Sequence, residues 1–416
     1  MIFSKLLLAS VASAGVVHMP LNVRDAGSHP EHFATLAKRD VLNADTVMIT
    51  SYYEATLLLG TPPQEVQVNF DTGSGILAVP ATNTTTCTKD LCHADGQFDV
   101  GNSSSWRYRS EGKQWAGQGM WGRETVGYAG SSLKSFAVFV PRDKMTNNFG
   151  IFGQSPIKNG SQSFVQGLAD SKHISRALYS ITAESPIISY NNNRDKKTQA
   201  KSHVVYGGFD RAKYEGPLVT IDRPSYGGYE MPMSGFSVDG EPVDDQQQHT
   251  VVLDTGGITL TLPNRTMEAM SLKHGGHYSA ANNMWMVSCD AKPVLQFGFG
   301  YTAIDVDMDQ YIAEVPGEGC GFKHLNIAKD SDRLLLQGPM LISKALVIYD
   351  NDRQQIHIAR AKYTDASDVV EITGDVPGAV KYTDWLAGKP LSEEESSKEE
   401  SSSKEEPSHT TLAVAV

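Results

Sequence analysis

The chain has 416 residues and a formal net charge of −12 at pH 7. This length allows two lobes or domains, because one domain usually takes ~100 to 200 residues. Residues 1–39 carry four Lys/Arg and two Asp/Glu, so the remainder is more acidic still, at −14. The acidic balance disfavours a nucleic-acid partner.

The N-terminus has the features of a secretory signal peptide in residues 1–14, with the basic Lys5, an apolar run and a small-residue cleavage site. A membrane anchor is the alternative, but neither this run nor any later one reaches the roughly 20 apolar residues that cross a bilayer. Residues 15–39 are predicted to be a pro-segment that a maturation protease removes at Lys38-Arg39. We therefore expect a secreted protein, or one held in a vacuole or another secretory-pathway compartment.

From Val47 to about Tyr363 the sequence consists of short β-branched and aromatic runs broken by Gly, Pro and Asn. This texture predicts a mostly β chain. Helical spacing is clearest in residues 161–178 and in residues 264–273, where Asn264 is predicted to cap the helix.

After Tyr363 the pattern weakens, and residues 364–416 are predicted to be a C-terminal extension. Residues 392–407 contain seven Glu and two Lys but no aliphatic or aromatic residue. This composition is typical of disordered, solvated chain. The apolar end of the sequence is shorter than the roughly 10 to 20 residues of a lipid-anchor signal, so we expect an unanchored protein.

Four cysteines permit three disulfide pairings. Cys87 and Cys92 lie in one half of the chain and Cys289 and Cys320 in the other, so local pairing would place one bridge in each half. A zinc site at Cys87, Cys92 and His93 is the alternative, but the spacing fits no common zinc module and the secretory pathway oxidises thiols. We expect no metal. Candidate glycosylation sites, where exposed, are Asn83, Asn102, Asn159 and Asn264.

Two Asp-Thr-Gly triplets lie in matching contexts, close to half a chain apart. The segments "VNFDTGSGILAVP", 68–80, and "VVLDTGGITLTLP", 251–263, each run from a strand through a glycine turn to an apolar stretch that ends in proline. Ordinary hairpin turns would explain one triplet alone. The matching pair indicates an internal repeat, with one copy in each half.

A pair of facing aspartates suits the hydrolysis of peptide bonds by water. If the two loops meet, Asp71 and Asp254 share one proton, so one carboxylate takes a proton from water while the other polarises the scissile carbonyl. Such a pair titrates as a unit and works best in acid. The threonines are predicted to hydrogen-bond across the loop base, and the glycines to let backbone N–H groups approach the carboxylates. The predicted supporting residues are Thr72, Gly73, Ser74, Thr255 and Gly256.

At these residues the chain resembles the pepsin-type aspartic endopeptidases, and is similar to their secreted fungal and yapsin-like members. The likeness runs from about Tyr53 to Tyr363. It includes "YYEATLLLGTPPQ" before the first loop, and "NNFGIFGQ" and "LLLQGPMLI" as segments that brace the loops, with Gln337 as a polar departure. Both local cysteine pairs, Cys87–Cys92 and Cys289–Cys320, lie where this family has disulfides.

The resemblance implies an all-β, bilobal fold with a substrate cleft between two lobes. Residues 40–218 would form the lobe that carries Asp71 and a flap, and residues 219–363 the lobe that carries Asp254. It also implies a peptide or protein substrate and no cofactor, and we expect a monomer.

The segment "GQGMWG", 117–122, matches the dinucleotide fingerprint G-x-G-x-x-G, but it lacks the buried preceding strand and the following helix that this motif requires. A mobile β-hairpin fits the glycines better. In the resemblance this hairpin is the flap over the substrate, with Trp115 at the tip position of a family tyrosine and Gly117 beside it. Ala78 stands where the family often has a bulky aromatic, which predicts a rearranged flap contact. The alternative is that Trp115 is simply a packed hairpin aromatic.

Gly257 follows the second triplet where Ser74 follows the first. In the resemblance a hydroxyl here donates to the outer carboxylate oxygen, so Asp254 lacks a donor that Asp71 has, and its ionised form is less favourable. Two hypotheses follow, an active acid endopeptidase and a catalytically impaired homologue that binds peptides or proteins in the same cleft. Retention of both aspartates and a processing site favours the enzyme.

Overall fold

The computed structural model of the protein describes residues 17–25, 51–82, 97–114, 117–142, 150–156, 163–186, 201–224, 228–243, 249–257, 260–323, 325–329 and 334–391. The mostly β character predicted from the sequence is confirmed over these ranges.

Among the described residues, strands outnumber helices in both halves of the chain. The strands of the first half are β1 (Val17–Asp25), β2 (Ser51–Leu59), β3 (Gln64–Asp71), β4 (Leu77–Ala78), β5 (Arg107–Gln114), β6 (Gly117–Tyr128), β7 (Ser131–Pro141), β8 (Gly150–Gly153), β9 (Leu178–Ala183), β10 (Lys201–Tyr206), β11 (Gly208–Asp210) and β12 (Tyr214–Asp222). Those of the second half are β13 (Glu230–Pro232), β14 (Gly235–Val238), β15 (Glu241–Pro242), β16 (Thr250–Leu253), β17 (Leu260–Pro263), β18 (Tyr278–Ser279), β19 (Met284–Val287), β20 (Val294–Phe299), β21 (Thr302–Asp307), β22 (Ile312–Val315), β23 (Gly319–Phe322), β24 (Leu325–Ala328), β25 (Leu334–Gln337), β26 (Ala345–Asp350), β27 (Gln355–Ala361), β28 (Val369–Glu371) and β29 (Ala379–Lys381). The helices are α1 (Phe164–Asp170), α2 (Asn264–Lys273), α3 (Pro339–Ile342) and α4 (Tyr382–Leu386).

The strands form one large sheet and several smaller ones. The large sheet has the order β29-β12-β27-β26-β9-β10-β1-β2-β3-β8-β4-β7-β6-β5. Sheets of the second half have the orders β13-β16-β25-β17-β24, β15-β14-β20-β21 and β18-β19-β23-β22. Side chains alternate across these strands, as in β20, where Leu295, Phe297 and Phe299 are fully buried.

The two Asp-Thr-Gly loops lie in equivalent surroundings. β3 pairs in parallel with β8, and β4 lies between β8 and β7. In the second half β16 pairs in parallel with β25, and β17 lies between β25 and β24. The repeat seen in the sequence is therefore also a repeat of strand pairing.

Large aromatic side chains fix the strand that leads to the first loop. Phe70, the residue before Asp71, is fully buried. Its ring meets those of Phe152 and Tyr179 edge-on, each with centroids 6.0 Å apart. Such edge-to-face pairs add to the free energy of burial, so the strand beneath the first loop is firmly held.

Strands from both halves meet in the large sheet. β12 pairs with β27, and β27 with β26, which pairs with β9. The expected boundary between the two lobes, between residues 218 and 219, falls inside β12. This strand is part of the large sheet to which both halves contribute. β1, part of the predicted pro-segment, lies between β10 and β2.

Both predicted helical segments contain a helix, but one predicted cap is wrong. α1 begins after Ser163, whose hydroxyl accepts from the Gln166 N–H at 3.3 Å. α2 has Pro263 at its N-cap position and no side-chain cap. The Asn264 side chain instead accepts a hydrogen bond from Trp285 Nε1 at 2.9 Å, because a tertiary partner competes successfully for its amide oxygen.

Residues 364–391, which we call the C-terminal strap, fold back onto the body of the protein. β28 pairs antiparallel with β11, and β29 pairs in parallel with β12. The strap buries the side chains of Ile372, Val376, Val380 and Tyr382. This part of the predicted C-terminal extension is therefore an integral element of the fold.

Candidate active site

The two Asp-Thr-Gly loops meet through a reciprocal set of threonine hydrogen bonds. The Thr72 N–H donates to Thr255 Oγ1, and the Thr255 N–H donates to Thr72 Oγ1, both at 3.0 Å. Each hydroxyl then donates to a carbonyl of the opposite half, Thr72 Oγ1 to Leu253 O at 2.6 Å and Thr255 Oγ1 to Phe70 O at 2.5 Å. Both threonines are fully buried, so water does not compete for these bonds.

This arrangement brings Asp71, at the end of β3, and Asp254, directly after β16, within hydrogen-bonding reach of each other. A Cβ placed on Gly73 would lie 2.5 Å from Asp254 Oδ1, and one placed on Gly256 would lie 2.5 Å from Asp71 Oδ1. Each glycine thus makes room for the carboxylate of the opposite loop.

The same glycines supply hydrogen bonds to the aspartate of their own loop. The Gly73 N–H donates to Asp71 Oδ1 at 2.7 Å, and the Gly256 N–H donates to Asp254 Oδ1 at 2.8 Å. Hydrogen bonds to a carboxylate favour its ionised form. Each loop therefore both orients and stabilises its own acid.

Burial, followed by the neighbouring Asp71 carboxylate, raises the pKa of Asp254 to about 7. The backbone N–H groups of Gly256 and Gly257 act in the opposite direction. Two carboxylates so close cannot both ionise cheaply, and the pair retains one proton over the acid range.

The two aspartates differ in their outer hydrogen bonds. Ser74 Oγ donates to Asp71 Oδ2 at 2.5 Å. Gly257 has no side chain to donate, and a Cβ placed on it would lie 3.1 Å from Asp254 Oδ2. The asymmetry expected from the sequence is present in the geometry, because the Asp71 carboxylate accepts from a side-chain hydroxyl and Asp254 has no side-chain donor at the matching position.

Gln337, the polar departure in the second bracing segment, is fully buried in β25. Its side-chain Nε2 donates to Thr261 O at 2.8 Å, and its backbone carbonyl accepts from the Asp254 N–H at 2.9 Å. The residue therefore connects the Asp254 loop to the strand that leaves it, while its amide oxygen is buried without a hydrogen-bond partner among the described residues.

The predicted flap is the hairpin of β5 and β6. Its strands end at the pair Gln114 and Gly117, and Gly117 has the left-handed φ of 108°. Trp115 lies outside the described residues. The remaining glycines of "GQGMWG" make room for close neighbours, because a Cβ on Gly119 would lie 2.3 Å from the Val140 carbonyl oxygen and one on Gly122 would lie 2.2 Å from the Trp106 ring.

Sequence reasoning missed Trp121 in this hairpin. Its ring packs against the small buried cluster of Ala78 and Phe139, in which Phe139 is its cross-strand neighbour, with the two ring centroids 5.2 Å apart. The sequence feature that could have indicated Trp121 is Ala78. A small residue at this position, beside the Asp71 loop, leaves room for a large side chain from a neighbouring strand.

The remaining predicted positions divide into those that the structure describes and those outside it. Cys289 and Cys320 form a disulfide. Asn102 is exposed, whereas the Asn264 side chain is engaged by Trp285. Asn83, Asn159, Cys87, Cys92, Lys38 and Arg39 lie outside the described residues.

Within the described ranges, no helix has both the length and the apolarity needed to cross a bilayer. Nor do these ranges contain a group of three or more His, Cys, Asp or Glu side chains arranged to hold a metal ion.

Comparison with known proteins agrees with this geometry. The family model described as eukaryotic aspartyl protease matches residues 52–361. An acid protease of Saccharomycopsis fibuligera is 27% identical over 338 residues, covering 75% of this chain and 82% of that protein. Aspartic proteinase yapsin-3 of Saccharomyces cerevisiae is 24% identical over 423 residues, covering 91% and 82%. Secreted aspartic protease 3 of Candida albicans is 25% identical over 342 residues, covering 77% and 82%. The resemblance stated from the sequence is confirmed, and the chain belongs to the eukaryotic aspartyl protease family as an aspartic-type endopeptidase.

Proposed function

We propose that the protein hydrolyses peptide bonds at acid pH through a water molecule activated by Asp71 and Asp254. The observation that carries this proposal is the meeting of the two loops, which puts two carboxylates within hydrogen-bonding reach above the crossed threonines. A peptide or protein bound between the two lobes, residues 40–218 and 219–363, would present its scissile carbonyl to this pair.

The asymmetry of the pair supports one distribution of the two catalytic roles. Asp71 receives hydrogen bonds from the Gly73 N–H and the Ser74 hydroxyl, and donors of this kind stabilise a carboxylate, so Asp71 is given the role of the base that takes a proton from water. Asp254 has the raised pKa, so it holds the shared proton and donates it to the carbonyl oxygen. The tetrahedral intermediate then collapses with proton transfer to the leaving amine.

The test is cleavage of an unfolded protein between about pH 3 and 6 by the matured full-length chain. Asp71→Asn and Asp254→Asn should each abolish cleavage, as should pepstatin, a transition-state-like inhibitor of this family. Asp305→Asn is the matched control, because Asp305 is exposed on β21 and its partner Gln296 can still donate to an asparagine oxygen. Inhibitor binding without turnover by the parent would instead support the catalytically impaired homologue.

We further propose secretion, with removal of residues 1–14 and then cleavage after Lys38-Arg39. The name of the Candida albicans relative, secreted aspartic protease 3, supports this, as do the dibasic pair and the apolar N-terminus. N-terminal sequencing of the exported protein should give Asp40. A different first residue, or retention inside the cell, would argue against this maturation route.

Glycosylation and oligomeric state are part of the same proposal. Asn102 is exposed and is the favoured sequon among the described ones, whereas Asn264 is held by Trp285. Asn102→Gln should remove one glycan from the mass of the secreted protein, and Asn264→Gln none. Light scattering should give the mass of a monomer.

A further inference from the structure

Strands β5, β6 and β7 carry positive charge in an otherwise acidic chain. Residues 107–142 contain six Lys/Arg and two Asp/Glu, whereas the whole chain has a net charge of −12. Glu124 is fully buried and accepts a hydrogen bond from Ser103 Oγ at 2.7 Å. Glu111 pairs with Arg142 at 2.6 Å. Most of the positive charge of these three strands is therefore not neutralised by their own acidic residues.

Three arginines of the β5–β6 hairpin, Arg107, Arg109 and Arg123, lie close together, and we call them the arginine surface. Arg107 is directly opposite Arg123 in the strand register, and Arg109 is the extra residue of the bulge beside them. Like charges directly opposite each other destabilise a sheet, and a bulge changes the direction of the side chain that it carries. Among the described residues, no carboxylate pairs with any of the three arginines. The stability of the sheet does not account for this arrangement, which suits an anion from outside.

Backbone carbonyls hold two of the guanidinium groups through one nitrogen each. Arg107 Nη1 donates to Ser104 O and Trp106 O, both at 2.8 Å, and Arg123 Nη1 donates to Ser135 O at 3.1 Å. A guanidinium has five N–H donors, and those on Nε and Nη2 have no partner among the described residues. Arginine recognises a carboxylate through such a pair of parallel donors.

The strand register places the arginine surface on the same sheet face as the segment that leaves the first Asp-Thr-Gly loop. Ala78 on β4 lies opposite Phe139 on β7, and Phe139 lies opposite Trp121 on β6. Side chains at directly opposite positions share one face of a sheet, and so do alternate residues of one strand. Arg123 follows Trp121 by two residues, so it lies on this face as well.

The arginine surface is also within a short distance of the active-site loop. Neighbouring strands lie roughly 4.8 Å apart, and β6 is two strands from β4 in the sheet order. The Arg123 backbone is therefore about 10 Å from the line of β4, and an extended peptide covers this distance in about three residues. β4 begins six residues after Asp71. A substrate side chain roughly three to five residues from the scissile bond thus lies at the distance of the arginines.

We propose that the arginine surface selects peptide substrates that carry an acidic segment beside the cleaved bond. This inference rests on the proposed function, because the segment belongs to a peptide held at Asp71 and Asp254. Arg107 and Arg109 are two residues apart on an extended strand, which corresponds to roughly 6 to 7 Å. Alternate side chains of an extended peptide repeat at the same distance, so the matching partner has Glu at alternate positions.

The first experiment compares two peptides as substrates of the full-length matured protein. Both contain one sequence cleaved in the test above, and they differ only in a flank of Glu-Thr-Glu or Gln-Thr-Gln, placed in turn on each side of the cleaved bond. One exposed ion pair corresponds to a factor of up to about five. With the flank on one of the two sides, we expect kcat/KM at pH 6 to favour the Glu peptide by roughly three- to tenfold.

Substitutions of the arginines test whether they cause this preference. Arg107→Gln/Arg123→Gln should bring the ratio of the two kcat/KM values close to one. Arg109→Gln should lower the ratio in part, and its exposed position in the bulge keeps it informative if the double variant fails to fold. Lys292→Gln is the matched control, because Lys292 is an exposed cation of the other half. Its removal should leave the ratio unchanged.

The preference should depend on pH through the substrate. A glutamate side chain has a pKa of about 4.3, whereas arginine stays protonated throughout the acid range. The ratio should therefore have its full value at pH 6 and fall towards one as the pH drops through about 4 to pH 3. An equal preference at pH 3 and pH 6 would contradict the recognition of carboxylates.

Binding separates a failure of this inference from a failure of the proposed function. A fluorescent Glu-flanked peptide should bind full-length Asp254→Asn protein more tightly at pH 6 than its Gln-flanked counterpart, and the added Arg107→Gln/Arg123→Gln change should remove the difference. This measurement decides the inference even if the parent cleaves nothing. Equal binding of the two peptides, or an equal loss in Lys292→Gln, would overturn the inference. Equal binding of the peptides together with binding of dextran sulfate at both pH values would instead indicate an anionic polysaccharide partner.

Discussion

Gly257 leaves Asp254 without the hydroxyl donor that Ser74 gives to Asp71. Proton loss from the pair on the alkaline side is governed by the higher pKa, which burial and Asp71 raise to about 7 on Asp254. A new donor to the ionised form lowers that pKa. Adding such a donor would therefore narrow the pH range in which one carboxylate is protonated and the other is ionised.

We therefore predict that Gly257→Ser moves the alkaline limb of the kcat/KM profile to lower pH, by up to about one to two units, since a hydrogen bond to a charged group is worth about 1.5 to 3 kcal/mol. The new Cβ would lie 3.1 Å from Asp254 Oδ2, so a small shift of the loop reduces the effect. Gly257→Ala is the control that adds the Cβ without the hydroxyl. If the alkaline limbs of the kcat/KM profiles are identical in the serine and alanine variants, water already donates the hydrogen bond to Asp254 in the parent.

The same raised pKa makes the fold sensitive to pH. A carboxyl whose pKa is higher in the folded state stabilises the protein fully below its unfolded value, near 3.8, and this contribution is lost as the pH rises through about 7. We predict that Asp254→Asn removes this dependence. Relative to the parent, the variant should gain up to about 3 to 4 kcal/mol of unfolding free energy between pH 4 and pH 7. Urea unfolding of both proteins at both pH values measures this. The same change in unfolding free energy with pH in the parent and in the variant would contradict the raised pKa of Asp254.

Among the elements of the second half, the Cys289–Cys320 disulfide joins the segment after β19 to β23 across a sequence separation of 31 residues. A cross-link of this span restricts the unfolded chain by about 3 to 4 kcal/mol in the chain-entropy model. Cys289→Ala/Cys320→Ala should therefore lower the free energy of unfolding by roughly that amount. Reduction of the parent under the same conditions provides the comparison, and equal stability before and after reduction would contradict the prediction.

The sequence predicted those elements whose pattern is local. The paired triplets predicted the Asp71 and Asp254 loops, because the motif and its flanking strands repeat within a few residues. The cap at Asn264 was predicted wrongly, since Trp285 lies 21 residues away and takes the amide oxygen. Trp121 was missed for the same kind of reason, because Ala78 and Phe139 become its neighbours only in the folded sheet.

The strands of the C-terminal strap were equally hard to foresee. β28 and β29 have three residues each and pair with β11 and β12, about 160 residues earlier in the chain. Such short strands show no alternation of their own, and their stability comes from distant partners. What the sequence does indicate correctly is the end of regular patterning near Tyr363.

At the scale of the whole molecule, the C-terminal strap closes the fold by burying four large side chains, Ile372, Val376, Val380 and Tyr382. Each contributes roughly 1.5 to 3 kcal/mol, and the sum is comparable with the ~5 to 15 kcal/mol by which domains are stable. The exposed ion pair of Arg211 with Asp368, at 2.8 Å, adds little to this.

We predict that a chain ending at Tyr363 fails to fold or unfolds at a much lower temperature, whereas one ending at Leu391 matches the full-length protein. Thermal unfolding of the three chains is the measurement. Because the shorter chain could simply aggregate, Ile372→Ala provides a second variant, expected to lower stability by about 2 to 5 kcal/mol. Full stability of the chain ending at Tyr363 would show that the strap is dispensable.

The crossed hydroxyls of Thr72 and Thr255 also determine how the two halves can move. Each threonine bonds to the backbone of the opposite half at the level of the aspartates, so a rotation of one half against the other has its pivot there. Points far from a pivot travel furthest and points beside it hardly at all. A rotation about this pivot would therefore leave the gap between the two carboxylates nearly unchanged.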